Sequence, residues 1–433
     1  MFRFIFLFLC VSTILFSCKQ RASQIAQEKD YTQYLRPELC NIEKKKNADE
    51  IDFWQQRLEK DTGSYVNKLE LANHYLHRFR LTGEISSLSV GDSLLKKSSE
   101  KLNNKEAGIL FALSQNSVTQ HQFSRAASYN EQALRNNGDP YTVQLLRFDA
   151  GMELGRYADA EKAMNEVKNS SSFDYLIRKA KWEDHNGNSN EAIRLMKKAF
   201  EKVKNKKKSL YCWTLSILAD MYGHAGEIKK SYKAYLDVLQ KDPANLYCLK
   251  GIAWIAYSND GNNSAAKRIL QYILTQTKMP DLKLILAEIA ESENNTAEKN
   301  KWLSEFLDDV EQHAYGGMYN KYLISIYNDD DKQSSKATSL AESELKNRVT
   351  PETCDWVAWS YYKGGNKAKA MEYTRRAVYK RTFEPDALMH TAFIFADNGR
   401  RDEAEKLLKQ CLESSFELGP VATRRIKEKL ASL

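Results

Sequence analysis

The sequence predicts an all-α chain, folded as a right-handed α-solenoid of about nine to ten helix-turn-helix repeats with a C-terminal capping helix. Three observations predict it. From Ala107 to Ser415, short segments of helical hydrophobic pattern follow one another with few strand signals. A small residue recurs at Ala126, Ala160, Ala192, Ser231, Ala266, Asn300, Ala337, Ala370 and Ala404, with gaps of 32–39 residues. Pro140, Pro243, Pro280, Pro351 and Pro385 all fall between these units, where a helix has to stop.

The chain opens with a leader, residues 1–17. It holds one charge, Arg3, followed by an apolar run of 13 residues from Phe4 to Phe16 and the small Ser17. That pattern predicts a secretory signal peptide, and the run is shorter than the ~20 apolar residues a membrane-spanning helix needs. Leu15-Phe16-Ser17-Cys18 resembles the bacterial lipobox, in which the cysteine receives a diacylglyceryl group and becomes the new N-terminus. The resemblance implies lipidation at Cys18 and a chain tethered to the membrane through it. Residues 18–64 are expected to form a lipid-anchored polar spacer and a leading helix. The composition of "KQRASQIAQEKD" and "NIEKKKNADE" supports the spacer.

The repeat region is expected over 65–418, beginning with a stretched unit, Tyr65 to Asn103, that carries Leu71, Ala72 and Tyr75 in its first helix. Five residues before each aligned small residue stand His121, Gly155, Gly187, Gly226, Gly261, Asn295, Lys332, Gly365 and Gly399. Glycine there permits the left-handed backbone that ends one helix before the next begins. Twelve residues before it stand Ser114, Phe148, Ala180, Ala219, Trp254, Glu288, Ser325, Ala358 and Ala392. Where both positions are small, two helices can approach to ~8 Å. Residues 419–433 are expected to cap the stack, because a solenoid needs a polar end.

The best unit, Trp213 to Pro243, carries Leu218-Ala219, Tyr222, Gly226, Ser231, Tyr235, Val238 and Pro243 in order. It resembles the tetratricopeptide repeat, and the resemblance extends over about nine units from 107 to 415. What the resemblance implies is a binding scaffold whose concave groove is lined by first-helix residues not spent on packing. By the repeat register these are Trp213, Asp220, Ile255, Ile289, Trp359, Tyr362, Met389 and Phe393. Aromatics and methionine are what binding hot spots use, so Trp359, Tyr362, Met389 and Phe393 form the leading candidate groove.

The remaining composition narrows the function. The 65 basic and 57 acidic residues give a formal charge of +8, or about +7 without Arg3. The run Lys202, Lys204, Lys206, Lys207 and Lys208 is expected to be a solvated helix end. Apart from Cys10 and Cys18, five cysteines are scattered at 40, 212, 248, 354 and 411, neither a disulfide framework nor a zinc site. Cys212 and Cys248 fall at near-equivalent places in neighbouring repeats. Glu70, His74 and His77 share a helix face without the H-E-x-x-H pattern, and no nucleotide or nucleophile motif occurs. The expectation is therefore no enzyme, no cofactor, no metal and no nucleic acid. The expected function is a lipid-anchored scaffold of the bacterial cell envelope, most simply on the outer membrane facing the periplasm, that binds a protein or peptide partner. The alternative is a glycan-capturing surface lipoprotein working with an outer-membrane transporter, which would need long insertions that the 32–39-residue gaps do not leave.

Overall fold

The structure is a computed structural model and describes residues 24–167 and 172–433. The leader and Cys18 lie outside the described residues. An N-terminal arm holds α1 (Glu28–Tyr31) and α2 (Pro37–Lys60). Ten helix pairs follow: α3 (Tyr65–Thr82) with α4 (Ile85–Lys101), α5 (Ala107–Thr119) with α6 (Phe123–Arg135), α7 (Pro140–Leu154) with α8 (Tyr157–Glu166), α9 (Phe173–His185) with α10 (Ser189–Val203), α11 (Lys208–His224) with α12 (Ile228–Lys241), α13 (Leu246–Trp254) with α14 (Asn263–Gln276), α15 (Asp281–Ser292) with α16 (Thr296–Gln312), α17 (Asn320–Asn328) with α18 (Ser334–Asn347), α19 (Pro351–Lys363) with α20 (Lys367–Tyr373), and α21 (Pro385–Asp397) with α22 (Arg401–Glu413). The chain ends in α23 (Ser415–Ala431), which is broken at Gly419 (φ 77°). The described residues contain no strand. This is the all-α solenoid that the period predicts.

The period works through close contact. Ala126, Ala160, Ala192, Ala266, Ala337, Ala370 and Ala404 are all fully buried. So are Ala219, Ala358 and Ala392 on the facing first helices, so those pairs close on small side chains from both sides. Local signals cooperate. At α19, Thr350 and Thr353 form a reciprocal capping box with Pro351 at the first helical position.

Two units depart from the predicted register by one residue. In the α15–α16 pair, Asn300 is exposed, and the residue that takes the alanine's place is Lys299. Its backbone N–H donates to the Asn295 carbonyl, as Ala266 donates to Asn262 and Ala370 to Asn366. The left-handed turn residue there is accordingly Asn294 (φ 59°), not Asn295. In the α13–α14 pair, a π-helical turn at Ile255–Asn259 adds one residue to the first helix. The buried small residue is Ala253 rather than Trp254. Lys332 lies in a 3-10 turn (Asp331–Gln333) rather than in a left-handed one.

The solenoid is wound tightly enough for successive turns to touch. The turn after α3 meets the loop before α15, where the Lys278 N–H donates to the Thr82 carbonyl at 2.7 Å. The turn after α5 places His121 against the Gly317 backbone. The turn after α7 meets the loop before α19, with the Val349 N–H on the Leu154 carbonyl at 3.4 Å. Gly187 lies under the Phe383 ring, and Gly223 under the Phe416 ring. Each junction joins residues roughly 195 positions apart in the chain. Arg348, only 9% exposed, reinforces the third junction by facing Glu153 at 3.7 Å and covering the rings of Phe123 and Trp356.

The N-terminal arm differs from the expected spacer. The backbone N–H groups of Ile25 and Ala26 donate to the Asp260 carboxylate at 3.0 and 2.8 Å. The N–H of Gln27 donates to the Tyr232 hydroxyl at 3.0 Å, and Tyr31 is fully buried. Helix α2 then runs to α3, where the Asn47 amide donates to the His74 carbonyl. The arm looks like a spacer in sequence because α2 buries only Cys40, Asn47 and Ile51 and presents charges elsewhere. The five described cysteines are buried and free, Cys212 and Cys248 included.

Candidate functional site

The inner face is set by the residue that follows each buried small residue of the first helix. Ala358 is followed by Trp359 and Ala392 by Phe393, and both rings are half-exposed. The register shifts decide the two positions between which the expectation fails. Ile255 and Ile289 are fully buried, and neither lines a groove. One residue earlier, Trp254 and Glu288 occupy the inner positions instead. The Trp254 indole N–H donates to the Phe416 carbonyl at 2.9 Å. Asp220 does face inward, but its carboxylate is taken up by the hydroxyls of Tyr235 and Tyr247. Trp213 is 45% exposed at the start of α11, edge-on to Phe173, and away from the cluster near the C-terminus.

The structure brings Trp359, Tyr362, Met389 and Phe393 together. The Trp359 ring stacks on His390 (centroids 4.0 Å apart) and on Tyr362 (4.9 Å), with Phe393 edge-on at 6.1 Å. Met389 is buried beside them. His390 is fixed in turn by the Asp355 carboxylate at 2.8 Å. Phe393 also packs on the terminal helix, where the Lys429 ammonium lies 5.5 Å from its ring centre.

Trp359, Met389, His390 and Phe393 of this cluster line a cleft of about 290 Å³ between α15, α17, α19, α21 and α23. Helix α23 is thus more than a cap on the last pair. Its first turn crosses to α11 and α13, Gly419 sits against Glu288 and Trp254, and Arg425 donates to Glu291 at 2.8 Å. Glycine is needed at this break, since a Cβ would strike the Trp254 ring and the Glu288 carboxylate.

The cleft is acidic. Seven carboxylates line it, from Glu288, Glu291, Asp329, Glu352, Asp355, Glu384 and Asp386, against the cations Lys321 and Arg425. Lys321 lies 3.7 Å from both Glu352 and Asp386. Desolvation within the cleft works against its charge, but Asp386 and Glu352 outweigh that and hold the ammonium above its ordinary value. Burial pushes Glu288 up to about 7 despite the Tyr257 hydroxyl nearby. Glu384 is pushed up to about 7 by enclosure within the cleft and then by Glu417 and Glu352. Burial also opposes the charge on Glu291, yet Lys299 and Arg425 keep its carboxyl below the usual value. Asn328 is buried on the cleft wall. Its amide N–H donates to Ser360 at 3.0 Å, while its amide oxygen has no donor.

Sequence reasoning found the aromatic rings and missed the carboxylates. A signal existed: Pro351-Glu352 and Pro385-Asp386 each start a first helix. An acidic first turn is also the ordinary way to complement a helix dipole, so the pattern did not stand out. A larger hollow, about 570 Å³, lies between α6, α7 and α8, but it is more open, and its Glu131 is already matched by Arg147 at 2.7 Å. Among the described residues, no group of three or more His, Cys, Asp or Glu is arranged to hold a metal.

A tetratricopeptide repeat family model matches residues 356–381, which cover the second half of α19, α20 and the turn after it. A search of curated protein sequences gives no match. Similar solved structures include a human IFIT1 dimer with PPP-AAAA (14% identity, 72% of each chain, TM-score 0.45). Yeast Tom70 is 13% identical over 94% of this chain and 97% of that one, with a TM-score of 0.39. A tetratricopeptide repeat protein from Parabacteroides merdae ATCC 43184 is 16% identical over 57% of this chain and 93% of that one, with a TM-score of 0.38.

Proposed function

We propose that this chain is a lipid-anchored scaffold of the bacterial cell envelope, held to the membrane through Cys18, and that its tetratricopeptide-type repeats bind a protein or peptide partner in the cleft beside α23. The observation that carries the reading is the cleft itself, where aromatic rings and seven carboxylates line one hollow in a chain whose formal charge is +8. Seven carboxylates repel a phosphate backbone, which favours a protein partner over a nucleic acid. A helical scaffold without a nucleophile or nucleotide motif fits binding rather than catalysis. The anchor reading rests on the leader pattern. Among the described residues no helix is long and apolar enough to cross a membrane, so acyl chains would supply the attachment.

Such an anchor constrains orientation. Five residues separate Cys18 from Gln24, where the chain docks beside Asp260. At roughly 3.5 Å per residue, their reach keeps the α13–α14 edge within about 20 Å of the membrane. Cys18→Ser should therefore release the protein into the soluble fraction. A variant that still sediments with membranes after a high-salt wash refutes the anchor. Crosslinked pull-down of the tethered protein tests the scaffold, with an envelope protein as the expected capture. A bound oligosaccharide instead points to the glycan-capturing alternative.

A further inference from the structure

We propose that the occupant of the cleft is an extended peptide segment bearing lysine or arginine, whose cation meets the carboxylates beside Lys321 and whose N–H groups reach the Asn328 amide oxygen. The proposal rests on the scaffold reading and adds the chemistry of the partner.

Three independent features converge on it. The first is charge. Lys321 approaches Glu352 and Asp386 only to 3.7 Å, too far for a direct hydrogen bond, so both carboxylates retain acceptor capacity toward the cleft. Glu384 on the same wall is pushed up to about 7 first by desolvation within the cleft and then by Glu417 and Glu352, against the pull of Lys321. The second is the orphaned acceptor. Asn328 is 1% exposed and lines the cleft, yet its Oδ1 receives no hydrogen bond. A buried acceptor of this kind is normally satisfied, so the site lacks a donor. Ammonium, guanidinium and peptide N–H groups are donors, whereas carboxylate and phosphate groups are not.

The third is that the chain already lays its own cations on this surface. Arg425 of α23 donates to Glu291 at 2.8 Å. Lys429 of the same helix pairs with Asp397 at 2.5 Å and lies over the Phe393 ring at 5.5 Å. Lys363 sits 6.0 Å from the Trp359 ring centre. Aromatic faces beside carboxylates attract cations by both quadrupole and charge. A volume of about 290 Å³ admits a side chain and its adjoining backbone rather than a folded domain.

The test uses the full-length chain in detergent and a fluorescent glycine-spaced peptide with four arginines, beside its glutamine and glutamate counterparts. Anisotropy should show binding of the arginine peptide only, weakening with salt. In Glu352→Gln, Asp386→Asn the affinity should fall at least about tenfold. Lys321→Gln should move it the other way by several-fold, because the resident competitor for the same carboxylates is gone. These side chains are partly or fully exposed, and a melting curve of each variant checks that the fold is kept. The proposal is overturned if the glutamine peptide binds as well as the arginine peptide, if the double variant binds unchanged, or if Lys321→Gln weakens capture. A photocrosslinker replacing Phe393 in intact cells separates this from the scaffold reading. A captured segment rich in Lys or Arg supports both. One without either residue overturns the cationic occupant and leaves the scaffold standing, and a position that crosslinks to nothing takes down both.

Discussion

Gly155 and Gly365 hold the same place in their repeats and the same left-handed backbone, with φ of 74° and 81°. Their surroundings differ. A Cβ on Gly155 would collide with the Val349 carbonyl of the adjacent turn, and its distance to the Val349 carbonyl carbon would be 2.7 Å. On Gly365 the same Cβ would meet nothing within 4 Å among the described residues, as at Gly226, Gly261 and Gly399. Gly83 and Gly187 side with Gly155, facing Met279 and Phe383. One recurring residue therefore does two jobs. Late in the chain it only lets a helix end, while early in the chain it also lets one turn of the solenoid lie on the next.

The largest effect expected from this difference is at Gly155→Ala. A left-handed alanine costs ~1–2 kcal/mol, and forcing apart a packed junction costs a further ~1–3 kcal/mol. Chemical denaturation should thus show a loss of about 3 kcal/mol. Next comes Arg348→Met, which keeps bulk but strips Glu153 and Glu344 of a buried cation. A loss of about 2 kcal/mol is expected there, with early proteolysis near 349 marking the opened junction. Gly365→Ala should cost only the backbone part, about 1 kcal/mol. Equal losses at Gly155 and Gly365 would break the comparison, since they would mean that the contact between turns contributes nothing.

The remaining effect is a dependence on pH rather than a loss on substitution, and it concerns the contact where Gly419 of α23 sits against Glu288. Glu288 is pushed up to about 7 from 4.5 when folded. Between those values the folded chain binds more protons than the unfolded one, so stability falls as pH rises through the window and levels off above about 7. Below about 4.5 this contribution is fully present. Glu288→Gln should flatten that part of the stability profile. A profile identical to that of the unaltered chain would show that Glu288 is not held protonated at the junction.

The candidate site divides along the same line as the glycines. Trp359 and Phe393 were legible because they follow Ala358 and Ala392, in units where the helical period runs without interruption. Ile255 was misplaced because the π turn at Ile255–Asn259 adds a residue to its helix, and Ile289 because its unit aligns on Lys299 rather than on Asn300. Such a shift carries an apolar residue from the inner face into the core and brings Trp254 or Glu288 out. Nothing in the residue types announces it. A π turn costs little in a packed helix and needs no glycine or proline to mark it.

By itself the sequence determined the helical pairs, their order, the buried alanines and most of the left-handed turns. Each of these depends on contacts within one repeat or with its neighbour, and selection for close approach leaves a small residue at nearly every repeat. Only the tertiary structure decided what lies across the solenoid: the arm docked on Asp260, α23 laid along the cleft, the carboxylates gathered around Lys321, and the junctions roughly 195 residues apart. The pitch of a solenoid accumulates from small rotations at every repeat. Residues that meet one full turn later therefore share no period, and their meeting is a property of the whole stack.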